Sequence, residues 1–431
     1  MKNIRDLHFE KEILPLFDFV YHEFSREALV GLLSEFQGSV EEILTRQEIL
    51  RCLLETEKLY GSPAYSRSEF YEVYRYTEEL KSRDIKLAGS HLKLHLLFVK
   101  SERTRESIQL SRLLHFFHQI RQAYFIHLKP GLYPAAFGDR LKNGHRFLSD
   151  LDLDKYIAIT RRRKLTISET GLLLERLGEK TERGEIAVFW KDLFLLEAYL
   201  SIAQGIRKHG FVFPSFRPTG LALTDFYHPL LKEPVKNSLT VHKNVILITG
   251  PNMSGKSTLL KAIGLCVYLG HLGLAVPASA CELSYFDEIS IAINLNDDIQ
   301  SGYSHFMTEI QTLKNVVVEA GRSKRCFAIF DELFRGTNAE DALVISATTI
   351  LGLTKFSGSC FFISTHLHQL REAIAGQEDN IGLHYIECEL TDERPVFTYR
   401  VQEGWSDLKI GQILFEQEGL NGLLRPLPLR G

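Results

Sequence analysis

Two textures in this 431-residue chain predict an all-α domain followed by an α/β domain. Before about residue 211, apolar residues recur at helix spacing and strand-like runs are scarce. Beyond it, short apolar runs alternate with polar or glycine-bearing turns and helix-period segments, the order expected of a sheet covered by helices. Composition agrees with a globular chain: 45% hydrophobic, 24% charged, net charge −3. Such a balance excludes disorder, and no global basic field advertises nucleic acid.

The helical part is justified segment by segment. Ser25 looks like a cap ahead of Leu29, Leu32, Leu33 and Phe36. From Ser101 to Leu128, the residues Leu110, Leu113, Leu114, Phe117, Ile120 and Tyr124 make one stripe. Glu185 to Arg207 repeats the spacing with Phe189, Leu195, Leu196, Tyr199, Ile202 and Ile206, and Gly210 is a natural stop. The run Phe211-Val212-Phe213-Pro214-Ser215-Phe216-Arg217-Pro218 breaks the pattern, because its prolines bias their neighbours to extended geometry. We therefore expect a helical domain over 1–215 and an α/β domain over 216–431. In the latter, Val245–Ile248, Phe327–Phe330 and Phe361–Ile363 read as buried strands. His384–Leu390 and Val396–Val401 flank Thr391-Asp392-Glu393-Arg394-Pro395 as a hairpin.

Other classes fall away. Met1 to Asp6 lacks the apolar run of a signal peptide. The longest apolar stretch, Gly264 to Val276, is shorter than a membrane span and carries His271, so no membrane partner is expected. Six scattered cysteines without a CxxC pair argue against a disulfide framework or zinc site and point to a reducing cytoplasm.

The strongest chemical signal is Gly250-Pro251-Asn252-Met253-Ser254-Gly255-Lys256-Ser257-Thr258, which fits G-x-x-x-x-G-K-[ST] between a strand and a helix pattern. Phosphate oxygens need several backbone N–H groups pointing inward, and a tight glycine-bearing loop supplies them. The helix that follows adds its positive end, Lys256 a full charge, and Ser257 a hydroxyl for Mg²⁺. A P-loop also needs a carboxylate at a neighbouring strand end, and Phe327-Ala328-Ile329-Phe330-Asp331-Glu332 provides one. Asp331 would hold the metal through its water shell, and Glu332 would polarise the attacking water. Ile363-Ser364-Thr365-His366 ends a third strand on the same sheet edge, where His366 could sense the γ-phosphate. His368 reads as surface.

These residues resemble the ATPase domain of MutS-type DNA mismatch repair proteins. The loop Thr249 to Thr258 is similar to that family's phosphate loop, with its Pro-Asn-Met insert. Asp297-Asp298-Ile299-Gln300-Ser301-Gly302-Tyr303-Ser304-His305-Phe306-Met307-Thr308-Glu309 resembles the signature loop. Asp331-Glu332-Leu333-Phe334-Arg335-Gly336-Thr337 resembles the Walker B and following loop, and Ser364-Thr365-His366 the switch histidine. The likeness covers about residues 217–415; Ser25–Leu54 and Glu185–Phe216 look like parts of the helical core and lever. It implies an ABC-like P-loop ATPase of the domain V type behind an all-α core/lever domain. It further implies ATP and Mg²⁺ sandwiched in a homodimer, with Asn252 on the γ-phosphate side and Ser304 reaching the partner's nucleotide. Hydrolysis would then move the helical arms on DNA.

Several departures temper this. No mismatch-reading domain precedes the core, so direct mismatch reading is not expected. Phe334 stands where a glycine is usual, and Asn338 where Ser or Thr is common. Val235 and Lys236 occupy the place of an adenine-stacking aromatic, so stacking is expected to be weaker or to come from elsewhere. With the sequence given to Gly431, soon after Leu414, the helices that reinforce pairing in that family are expected to be truncated.

For DNA, the candidate footprint is 81–121, with Lys81, Arg83, Lys86, Lys93, Lys100, Arg103, Arg105, Arg112 and Arg121, plus Arg161-Arg162-Arg163-Lys164. No base-reading element is visible, so binding would be shape-led and salt-dependent. The alternative is a nucleotide-gated scaffold or assembly factor with slow ATPase and no direct DNA binding. A transporter-type or chromosome-structuring ATPase is disfavoured by the lack of an LSGGQ-like string, and a GTPase by the lack of [NT]-K-x-D.

Overall fold

The computed structural model describes residues 7–60, 64–82, 100–293, 305–322, 324–334, 337–391, 394–406 and 410–424. The chain divides into two compact units. One joins residues up to Leu16, Phe36–Leu44 and His209 onward; the other comprises Phe17–Glu35 and Thr45–Lys208. This differs from the expected partition at 215/216. Glu12 pairs with Lys261 at 3.2 Å, and the Gln37 amide donates to the His271 carbonyl at 3.3 Å, which binds two early segments to the later unit.

In the unit of Thr45–Lys208, the described elements are helical. The stripe from Ser101 forms the helix Lys100–Ile120, which then widens into a π-turn over Arg121–Phe125. The periodic segment from Glu185 forms the helix Glu185–His209. Its apolar face joins an aromatic core in which Trp190 meets Phe70 edge-on and Phe189 stacks on Phe147 at 4.4 Å. The helix Glu23–Ser34 is capped by His22 rather than Ser25: the His22 ring accepts from the Ser25 amide. Ser25 instead donates through Oγ to Glu197 at 2.6 Å, since a buried hydroxyl must find a partner.

The other unit carries the α/β architecture expected of the second half. Its strands are β1 (Ser215–Phe216), β2 (Leu221–Phe226), β3 (Asn237–Val241), β4 (Val245–Thr249), β5 (Ala280–Leu283), β6 (Glu288–Ala292), β7 (Cys326–Asp331), β8 (Cys360–Thr365), β9 (Ile381–Thr391) and β10 (Arg394–Glu403). Six form a sheet in the order β10-β9-β4-β8-β7-β6, and four form a second in the order β1-β5-β2-β3. Strands β9, β4, β8, β7 and β6 run parallel, with β10 antiparallel at one edge. Parallel strands are covered on both faces, which is why β4 and β8 are buried at every position.

One face of the large sheet receives the helix Lys256–His271, which also meets β2 and β5 of the small sheet and is buried almost all round. The other face packs Val245, Leu247, Ala328, Phe330, Phe361 and Ile363 against Ile350 and Leu353 of the helix Ala339–Leu353. Asn338 caps that helix, accepting from the Asp341 amide at 2.9 Å, so it performs the role a Ser or Thr would. Strand order brings the ends of β4, β7 and β8 to one sheet edge. Register fixes this: Thr249 lies opposite Thr365, and Asp331 opposite Ser364.

Candidate active site at the parallel sheet edge

The loop 250–255 leaves β4 and turns directly into the helix Lys256–His271. Gly250 has φ +145° and Gly255, at the helix N-cap, φ +94°. Side chains rarely adopt such angles, and here they are also crowded out: a Cβ on Gly250 would lie 3.0 Å from Ser254 Oγ. Pro251 is half-buried, Asn252 and Met253 are exposed at the tip, and Ser257 and Thr258 are exposed on the first helical turn. Ser254 is fully buried, and its hydroxyl has no hydrogen-bond partner among the described residues. An orphaned donor inside a glycine-lined cradle fits an anionic ligand such as a phosphate.

Lys256 is 5% exposed and donates from Nζ to the Gly250 and Pro251 carbonyls at 3.0 and 3.1 Å. Burial pulls its pKa below the ordinary lysine value, while Glu332 and then Asp331 oppose that fall. Ser257 Oγ donates to Asp331 Oδ2 at 2.5 Å. Two hard oxygens at one point suit Mg²⁺, so the donor set fits that ion. Glu332 Oε1 lies 3.8 Å from Lys256 Nζ and 3.7 Å from His366 Nδ1. The sequence-expected residues Lys256, Ser257, Asp331, Glu332 and His366 therefore meet at one sheet edge. His366 keeps nearly half its side chain exposed, and His368 lies at the surface as expected. Ser304 and the segment 297–304 lie outside the described residues.

Two residues carry roles that the sequence alone does not assign. Tyr399 has φ +58° within a register break of β10 between Phe397 and Val401. The Asn237 side chain holds that break, donating to the Tyr399 carbonyl at 3.0 Å and accepting from the Val401 amide at 2.8 Å. A Cβ on Gly255 would meet the Tyr399 ring at 3.1 Å, so a half-exposed aromatic lies against the loop 250–255. Its one mark in the sequence is a Tyr in an alternating strand. Ser364, the second, is bonded to both Asp331 and Glu332.

Where it is described, about half of the expected DNA footprint is ion-paired within the chain. Lys81 pairs with Glu78, Arg105 with Glu79, Arg112 with Glu72 and Arg121 with Asp154. Arg83, Lys86 and Lys93 lie outside the described residues, as does the Lys100 side chain. In the second cluster Arg163 makes a two-pronged pair with Glu169, at 2.7 Å for each bond. Arg161, Arg162 and Lys164 are exposed and have no ion-pair partner among the described residues.

Residues 246–418 match the family model MutS domain V. The chain is 32% identical over 235 residues to the DNA mismatch repair protein MutS of Bacillus licheniformis, covering 53% of this chain and 26% of that protein. The MutS of Bacillus pumilus is 28% identical over 272 residues, with coverage of 61% and 30%. That of a Bacillus cereus strain is 28% identical over 320 residues, with coverage of 70% and 35%. The chain thus spans about a quarter to a third of the length of these relatives. Among the described residues no helix is long and apolar enough to cross a membrane.

Proposed function

We propose that this chain, similar to MutS domain V over residues 246–418, is a MutS-type protein that binds ATP with Mg²⁺ and hydrolyses it at a homodimer seam. Hydrolysis would be coupled to movement of helical arms on DNA. The observation that carries this reading is the meeting of Lys256, Ser257, Asp331, Glu332 and His366 at one edge of a parallel sheet, beside an unpartnered Ser254 hydroxyl. In this reading the loop 250–258 cradles the phosphates as an ABC-like P-loop, and Lys256 exchanges loop carbonyls for phosphate oxygens. Ser257 and Asp331 hold Mg²⁺, which neutralises phosphate charge. Glu332 accepts the proton of the attacking water, and His366, 3.7 Å from it, senses the terminal phosphate. Asn252 faces the γ-phosphate, and Ser304 reaches the partner's nucleotide. Tyr399 offers its ring to the base, supplying the aromatic that Val235 and Lys236 do not.

DNA binding would fall to Arg161, Arg162 and Lys164 first, with the ion-paired cations of 81–121 joining as phosphates displace their carboxylates. Exposed pairs are worth only about 0–1 kcal/mol each, so that exchange is cheap. The unit of Phe17–Glu35 and Thr45–Lys208 would serve as the arm and the α/β unit as the motor, in the cytoplasm. The pairing of Lys81, Arg105, Arg112 and Arg121 also favours a second reading, a nucleotide-gated scaffold with slow ATPase and no direct DNA binding. ATPase rates measured with duplex, mismatched, junction and single-stranded DNA at low salt separate the two. Stimulation by any of them supports the first. A DNA-independent rate with an ATP-dependent change in oligomer size supports the second.

A further inference from the structure

We infer that Ser364 is a positioning residue that presets both acids of the site through one hydroxyl, resting on the ATPase reading above. Strand β8 is buried at all six positions. Ser364 is the β8 residue that stands opposite Asp331 in the β7–β8 register. Its side chain has no solvent exposure, so its hydroxyl must be satisfied by protein.

A hydroxyl has one proton to give and lone pairs to receive. Ser364 Oγ gives its proton to Asp331 Oδ1 and receives the Glu332 amide at 2.9 Å; the Ser364 carbonyl receives the same amide at 3.2 Å. The first bond ties down one carboxylate oxygen of Asp331, which leaves Oδ2 facing Ser257 Oγ. The second holds Glu332 at φ +53°, a conformation a non-glycine residue keeps only when its surroundings impose it. That backbone turn is what aims Glu332 Oε1 at Lys256 and His366. One side chain therefore orients the metal-facing carboxylate and the water-facing one together, without touching either ligand.

The test uses the full chain and fluorescent mant-ADP, titrated in EDTA and in excess Mg²⁺, with ATP hydrolysis measured across a Mg²⁺ series. For Ser364→Ala, affinity in EDTA is expected to stay at the wild-type level. The gain in affinity from Mg²⁺ should fall about tenfold, the worth of one hydrogen bond to a charged group. The Mg²⁺ concentration for half-maximal hydrolysis should rise in step, and Ser364→Thr, which restores the hydroxyl, should recover both. Should Ser364→Ala fail to fold, Ser364→Cys, close in size with a weak donor, carries the same measurement. Wild-type Mg²⁺ dependence in Ser364→Ala, or in Ser364→Cys where it stands in, overturns the inference, as does an equal loss of affinity with and without Mg²⁺. A wild-type chain that binds no mant-ADP under either condition refutes the ATPase reading itself.

Discussion

Replacing Glu332 by Gln is the sharpest probe of the site, because it removes a charge while preserving size. In the structure Glu332 Oε1 lies 3.8 Å from Lys256 Nζ. Coulomb attraction at that distance is about 4 kcal/mol in a medium of effective dielectric ~20, before the cost of burying both ions. The neutral amide of Glu332→Gln would release Lys256 from this pair and remove a negative charge from beside the incoming phosphates, so ATP affinity should hold or tighten. Turnover should behave oppositely. A positioned general base contributes roughly 10²–10⁴ in rate, or about 3–5 kcal/mol of barrier. The expected variant therefore binds mant-ATP at least as well as wild type and hydrolyses it slower by about a hundredfold or more. It should also accumulate as an ATP-held dimer in sedimentation. Turnover at the wild-type rate would refute the role of Glu332. Loss of nucleotide binding would refute the placement of its charge beside the phosphates.

Three further outcomes follow from the same geometry. Lys256→Ala should weaken ATP binding about tenfold to a hundredfold, as expected for losing a hydrogen-bonding cation on phosphate, while the melting temperature without nucleotide stays close to wild type. Titration with mant-ATP checks the first part and calorimetry the second. Tyr399→Ala should weaken ATP by about 1–3 kcal/mol, the range for a base stacked on an aromatic ring, but leave inorganic triphosphate binding unchanged. An equal loss for triphosphate would remove Tyr399 from the base subsite. Joint replacement of Arg161, Arg162 and Lys164 by Ala should lower the slope of log affinity for DNA against log salt, by about one for each phosphate no longer neutralised, without changing ATP affinity. Filter binding across a salt series reads that slope, and an unchanged slope would take the cluster off the DNA.

How much of this was legible in the sequence depended on the distance over which the information is carried. The loop after β4 was legible because a phosphate-binding turn has a fixed length with glycines at set places, and Gly250 to Thr258 fits that pattern within nine consecutive residues. The strand-end acids and His366 were legible for a similar reason: each follows a short buried run. Tyr399 was not, since its placement depends on a bulge clamped by Asn237, 162 residues earlier in the chain. Ser364 was visible as a letter but not as a clamp, because its role exists only through register with Asp331. The ion pairing of the basic stretch 81–121 was hidden in the same way. Arg105, Arg112 and Arg121 meet carboxylates of other helices, as Arg112 meets Glu72 forty residues away. Their neutralisation could not be counted along the chain.

Phe334 shows how a departure from a family pattern can preserve the geometry that the pattern served. A glycine at this position suits a left-handed turn, and Phe334 keeps that turn, with φ +65°. For a side-chain-bearing residue the conformation costs roughly 1–2 kcal/mol. Full burial of the phenyl ring, with no solvent exposure, is worth about 1.5–3 kcal/mol and offsets it. The ring meets Phe306 edge-on at 6.0 Å, and the Phe334 amide donates to Glu309 Oε2 at 2.9 Å. Both partners lie in the first turns of the helix His305–Gly321. The chain leaving Asp331 and Glu332 is thereby fastened to that helix by a ring and a hydrogen bond to a side chain. Where glycine would hold the turn by backbone freedom, this chain holds it by packing, and the two acids keep a rigid support.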